Sequence, residues 1–116
     1  DVGQVGEWGT PVDYSGWANY EEYTDWIWKQ NVDPDVILID GRFRISCFLT
    51  SALNAKDGAI IVFDDYVNRP IYHVVEQVFK RKLTCGRQAI FEVPERSQLD
   101  KDRLKEMIVR FRCVMA

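Results

Sequence analysis

Two short runs of apolar, largely β-branched residues dominate the pattern of the chain. They are Val36-Ile37-Leu38-Ile39 and Ala59-Ile60-Ile61-Val62-Phe63. The first runs into Asp40-Gly41-Arg42-Phe43-Arg44 and the second into Asp64-Asp65-Tyr66. Continuous apolar runs of this length predict strands over 35–40 and 59–64 that are covered on both faces, as in a parallel sheet. Between them Ile45, Phe48, Leu49, Ala52 and Leu53 fall on one helical stripe, which exits through Lys56-Asp57-Gly58. A second stripe, Ile71, Val74, Val75, Val78 and Phe79, predicts a helix over 69–81. Pro70 suits its first turn, and Lys80, Arg81 and Lys82 suit the negative end of its dipole. Tyr20, Tyr23 and Ile27 predict a helix over 18–30, ended by Asn31-Val32-Asp33-Pro34.

The last third changes period. Ala89, Phe91 and Val93 alternate with Gln88 and Glu92, which predicts two short strands over 82–94 around Cys85-Gly86-Arg87. Ser97-x-x-Asp100, a capping-box variant, opens a final helix that buries Leu104, Met107, Ile108 and Phe111. Residues 1–19 read as a loop punctuated by Gly3, Gly6, Gly9, Pro11 and Gly16. In it Trp8 and Trp17 serve either as an aromatic lid over a ligand or as anchors of the loop to the core.

Strands that alternate with helices predict one α/β domain of right-handed parallel units, with the hairpin adding an antiparallel edge. In open α/β sheets ligands bind at the carboxyl ends of the strands. That rule puts Asp40, Asp64 and Asp65 on one rim. Charge narrows the partners: 15 basic against 18 acidic residues leave a net charge of −3. Nucleic acid would want a basic face. No apolar run approaches the roughly 20 residues that span a bilayer. Cys47, Cys85 and Cys113 are too scattered for a zinc site or a disulfide framework. They read as buried reduced thiols, which suits a cytoplasmic location. His73, the single histidine, lies off the apolar stripe of its helix and reads as a surface or partly buried side chain.

This order of elements resembles the C-terminal half of the class I, Rossmann-like S-adenosylmethionine-dependent methyltransferases. Ile39-Asp40-Gly41-Arg42-Phe43-Arg44, Phe63-Asp64-Asp65-Tyr66 and Gly6-Glu7-Trp8-Gly9-Thr10-Pro11 are similar to poorly characterised bacterial methyltransferase-like proteins. The resemblance implies a partial three-layer Rossmann-like fold, with a mostly parallel sheet and a C-terminal antiparallel hairpin. Residues 35–40 would be the family's fourth strand, 59–64 its fifth and 83–93 its closing pair. The family's glycine-rich cofactor loop is absent from the chain, as is the acid that holds the cofactor ribose. The strand over 35–40 would then have a bare apolar edge. An N-terminal half of similar size, or a partner chain such as a second copy, is expected to cover it. S-adenosylmethionine would bind only with such a half.

The resemblance also implies chemistry. Metal-dependent members hold a divalent cation, such as Mg²⁺, through three oxygen ligands at the positions of Asp40, Asp64 and Asp65. The cation would lower the pKa of a hydroxyl on a small-molecule substrate, which then takes the methyl group. Asp40 and Arg42 would be the catalytic pair, and Trp8, Tyr66 and Arg44 would line the substrate. Phe43 stands where those enzymes carry a lysine. Arg42 and Arg44 stay protonated and would bind a carboxylate or phosphate instead of acting as bases. Other readings stay open at these positions. Asp40 could cap the helix that opens near Gly41, and Asp64 and Asp65 could pair with Arg69 or Arg42. The alternative function is a non-catalytic methyltransferase fold kept as a binding or assembly module.

Overall fold

The computed structural model describes residues 20–116. The expectations for Trp8 and Trp17 lie outside these residues. Tyr20–Asp25 forms α1, which tightens into a 3₁₀ turn at Trp26–Lys29. Then come β1 (Val36–Ile39), α2 (Arg44–Asn54) and β2 (Ile60–Phe63). A 3₁₀ helix covers Pro70–Gln77, followed by β3 (Leu83–Cys85), β4 (Gln88–Glu92) and α3 (Lys101–Phe111). The stripe predicted over 69–81 is met in part: Val75 is buried, Val74, Val78 and Phe79 pack partly against the core, Ile71 is exposed, and Tyr72, which the stripe omitted, is buried. Its winding is tighter and shorter than an α-helix. Ile71, Val74, Val75 and Val78 are β-branched and disfavour an α-helix. The last helix starts later than its sequence signal. Asp100, not Ser97, is its N-cap, and the Asp100 side chain accepts from the Arg103 N–H.

The sheet order is β1-β2-β4-β3. β1 and β2 pair in parallel, with Val36 opposite Ile60 and Ile39 opposite Phe63. β4 pairs antiparallel with both β2 and β3. The sheet is therefore predominantly antiparallel by pairing, which corrects the expectation of a mostly parallel sheet. The reason is the place of one strand. β4 runs against the other three and inserts between β2 and β3, so it converts two of the three pairings. The hairpin does not merely decorate an edge: β4 is central, and β3 is the edge.

Burial alternates along β1 and β2 although their sequence does not. Ile39, Ile61, Phe63, Ala89 and Phe91 are buried against Phe48, Leu49 and Ala52 of α2 and against Tyr72 and Val75. Phe48 meets Phe91 at 4.8 Å and Phe63 at 6.1 Å. α3 adds Leu104 and Met107 to the same core. The opposite face carries Val36, Leu38, Ile60, Val62 and Ile90. Val36 and Leu38 are 61% and 64% exposed. Among the described residues the helices thus form one layer on one face, where the sequence pattern predicts two.

Both ends of α2 are tied to distant parts of the chain. At its start the Phe43 and Arg44 N–H groups donate to the backbone oxygens of Met115 and Ala116, both at 3.1 Å. The N-cap residue is Phe43, with no side-chain cap, so Asp40 does not play that role. At its end the Arg96 guanidinium donates to the Leu53 and Ala55 carbonyls. A cation there satisfies orphan acceptors and suits the helix dipole.

Candidate functional site

The rim forms where the loops after β1 and β2 meet. Main-chain pairing brings them together: the Asp64 N–H donates to the Ile39 carbonyl at 3.0 Å. Each loop contains a non-glycine residue in the left-handed region, Phe43 at φ 56° and Asp65 at φ 54°. Such residues persist only where the surroundings hold them. Phe43 is held by packing, with its ring 4.8 Å from Tyr20 and 5.3 Å from Tyr23. Gly41 lies close to the same ring, since a Cβ there would sit 3.3 Å from the Tyr23 hydroxyl.

Arg44 joins the two loops. It is 4% exposed. Its Nε–H donates to the Gly41 carbonyl at 2.9 Å and its Nη1–H to the Asp64 carbonyl at 2.7 Å. Nη2 lies 3.5 Å from Asp40 Oδ1 and Nη1 lies 3.8 Å from Asp65 Oδ2. The guanidinium also faces the Tyr72 ring at 5.8 Å. Arg87 reaches in from the β3–β4 turn to Asp65 Oδ1 at 3.6 Å.

A cleft of about 560 Å³ opens over this clamp, lined by Asp40, Gly41, Arg42, Arg44, Asp65 and Arg69. A second cleft of about 430 Å³ shares Asp40, Gly41 and Arg42 and continues along β1 past Tyr23, Ile27, Trp28 and Leu38. A polar and a largely apolar cleft therefore meet at Asp40. Its carboxylate is half exposed at that junction.

The structure sorts the expected site residues. Asp40, Arg42, Arg44 and Asp65 share the polar cleft. Asp64 does not line it; its carboxylate accepts from Gln88 Nε2 at 3.3 Å. Tyr66 is wholly buried, and its hydroxyl donates to Glu76 Oε2 at 2.6 Å. Burial first, then that bond, pushes the phenol up, so it stays protonated and out of reach of a substrate. His73 stacks on Tyr66 at 4.7 Å and bonds its carbonyl at 3.1 Å. Cys47 lines the apolar cleft, but burial, helped by the Asp25 charge, pushes its thiol up to about 12. It is therefore a poor nucleophile.

Arg87 and Gln88 are the rim residues that the sequence did not reveal. They arrive only because β4 lies beside β2, with Ala89 opposite Phe63. No local pattern encodes that neighbourhood.

A divalent cation does not fit this arrangement. Among the described residues, no group of three histidine, cysteine, aspartate or glutamate side chains is placed to share an ion. The Arg44 guanidinium already pairs with Asp40 and Asp65 and donates to the Asp64 carbonyl. It supplies the positive charge that an ion would bring.

No protein-family model matches the chain. No curated protein matches it either. Among solved structures, a methyltransferase-like protein from Silicibacter pomeroyi superposes with a TM-score of 0.85 at 32% sequence identity. The match covers 100% of this chain and 59% of that one. The chain is homologous to that bacterial methyltransferase-like protein and shares its fold over part of that protein's length.

Proposed function

We propose that the chain forms the acceptor-binding side of an S-adenosylmethionine-dependent methyltransferase acting on a small molecule. The observation that carries this reading is the cleft at the carboxyl ends of the parallel pair β1 and β2, in a chain homologous to a methyltransferase-like protein. The described residues hold no glycine-rich cofactor loop, so the cofactor would be held by a further part of the protein. The exposed edge of β1 is where that part would continue the sheet. When bound, S-adenosylmethionine supplies an electrophilic methyl group.

The residues of this chain would bind and orient the acceptor. Asp40 accepts a hydrogen bond from the acceptor's hydroxyl at the junction of the two clefts. Arg44 acts as a positioning residue, because it holds both loops and is itself saturated with partners. The apolar cleft along β1 would take the hydrocarbon body of the acceptor. Rate would then come chiefly from placing the nucleophile in line with the methyl group.

Calorimetric titration of the full-length protein with S-adenosylhomocysteine tests the reading. Heat of binding supports it, together with loss of methyl transfer in Asp40→Asn while that heat is retained. No heat in the full-length protein sinks it. The burial of Tyr66 and the full occupation of Arg44 favour a second reading, a methyltransferase fold retained as a binding module. In that case Asp40→Asn would leave biological activity intact.

A further inference from the structure

We propose that the polar cleft selects acceptors that carry a carboxylate, and that Arg42 and Arg69 hold that group. The assignment rests on the rim being the acceptor's site. Three arginines and two aspartates line the cleft, so positive charge is in excess there. The three arginines are not equivalent. Arg44 is spent on Asp40, Asp65 and two carbonyls. Asp65 is shared with Arg87 as well. Neither Arg42 nor Arg69 has a side-chain hydrogen bond or an ion pair among the described residues. Arg42 Nε is moreover buried with no hydrogen-bond partner.

A buried guanidinium donor left without an acceptor costs free energy, and native structures rarely tolerate one without a reason. A planar carboxylate would supply two acceptor oxygens to guanidinium donors of this kind. Proline at position 70 sits directly after Arg69 and begins the 3₁₀ helix, which restrains the backbone that presents this guanidinium.

The test is a titration of the protein with succinate, with the uncharged succinamide and with inorganic phosphate. It is followed through the arginine Nε–H signals by NMR. Succinate is expected to shift the Arg42 and Arg69 signals, and succinamide to leave them in place. Arg69→Gln, at an exposed position, should keep the fold and weaken succinate binding about tenfold. Arg42→Gln should do the same or more, with a thermal melt to confirm folding.

Equal binding of succinate and succinamide would overturn the proposal. So would unchanged succinate affinity in Arg69→Gln. Tighter binding of phosphate than of succinate would overturn the choice of carboxylate. The titration needs no cofactor, so its failure is distinguishable from that of the methyltransferase reading, which is decided by S-adenosylhomocysteine.

Discussion

The two faces of the sheet are built from the same kinds of residue and meet different fates. One face places Ile39, Ile61, Phe63 and Phe91 under α2 and the 3₁₀ helix, where all four are buried. The other places Val36 and Leu38 in the open, with Ile60, Val62 and Ile90 only partly covered. Side chains on a strand alternate between faces, so a one-sided sheet would be expected to alternate apolar with polar residues. β1 and β2 do not. Their composition suits cover on both sides, while the described residues provide it on one. The rim stands on the covered side, since Arg44 belongs to α2.

The largest expected effect separates the faces directly. Phe63→Ala removes a wholly buried ring and should cost about 3–5 kcal/mol in urea unfolding. Leu38→Ser on the open face should stay within about 0.5 kcal/mol. A comparable cost at both positions would break the comparison and show that the open face is packed in solution.

Arg44→Met comes next, at about 2–3 kcal/mol, because it removes charge-assisted bonds and leaves the Gly41 and Asp64 carbonyls without this donor. The same variant should lower affinity for the acceptor, since the two loops lose their tie. Stability unchanged from the wild type would show that the clamp is not what holds the rim.

A smaller effect comes from Glu76, also on the covered side. Burial alone would raise its carboxyl. The bond from Tyr66, the Arg81 N–H and the charges of Arg81 and Lys80 outweigh burial and hold it below the ordinary 4.5. A carboxyl depressed in the folded state stabilises the protein above that value, and the contribution is lost as pH falls through the folded pKa. Glu76→Gln should therefore cost about 1 kcal/mol at pH 7 and flatten the decline in stability below pH 4.5. Parallel acid limbs for the variant and the wild type would refute this.

The smallest change in stability is expected for Leu38→Lys. A charge on this edge strand should leave the melting temperature nearly unchanged while reducing self-association in sedimentation. Leu83→Lys offers the control, since β3 spans only three residues and is flanked by Lys82 and Arg87. An equal response at both edges would mean that the β1 side is no stickier than the β3 side.

Much of this protein was determined by its sequence alone. Periodicity placed β1, α2, β2, the hairpin and α3 within a few residues, because apolar spacing reflects which side chains a local element can bury. The acids at the strand ends, and the resemblance drawn from them, pointed to the rim and to the family of folds. The sequence also showed Arg42 and Arg44 as cations fit for an anion. What it could not divide was their roles. Burial and partners made Arg44 a clamp and left Arg42 and Arg69 facing the cleft, and these depend on how two loops meet in space.

Tertiary structure alone decided the position of β4. A strand's neighbours are set by non-local pairing, and no residue of Gln88–Glu92 announces that it will lie beside β2. That choice made the sheet mostly antiparallel and carried Gln88 and Arg87 to the rim. It also decided that Tyr66 would be core rather than site, since burial depends on what packs above a residue and not on its chemistry.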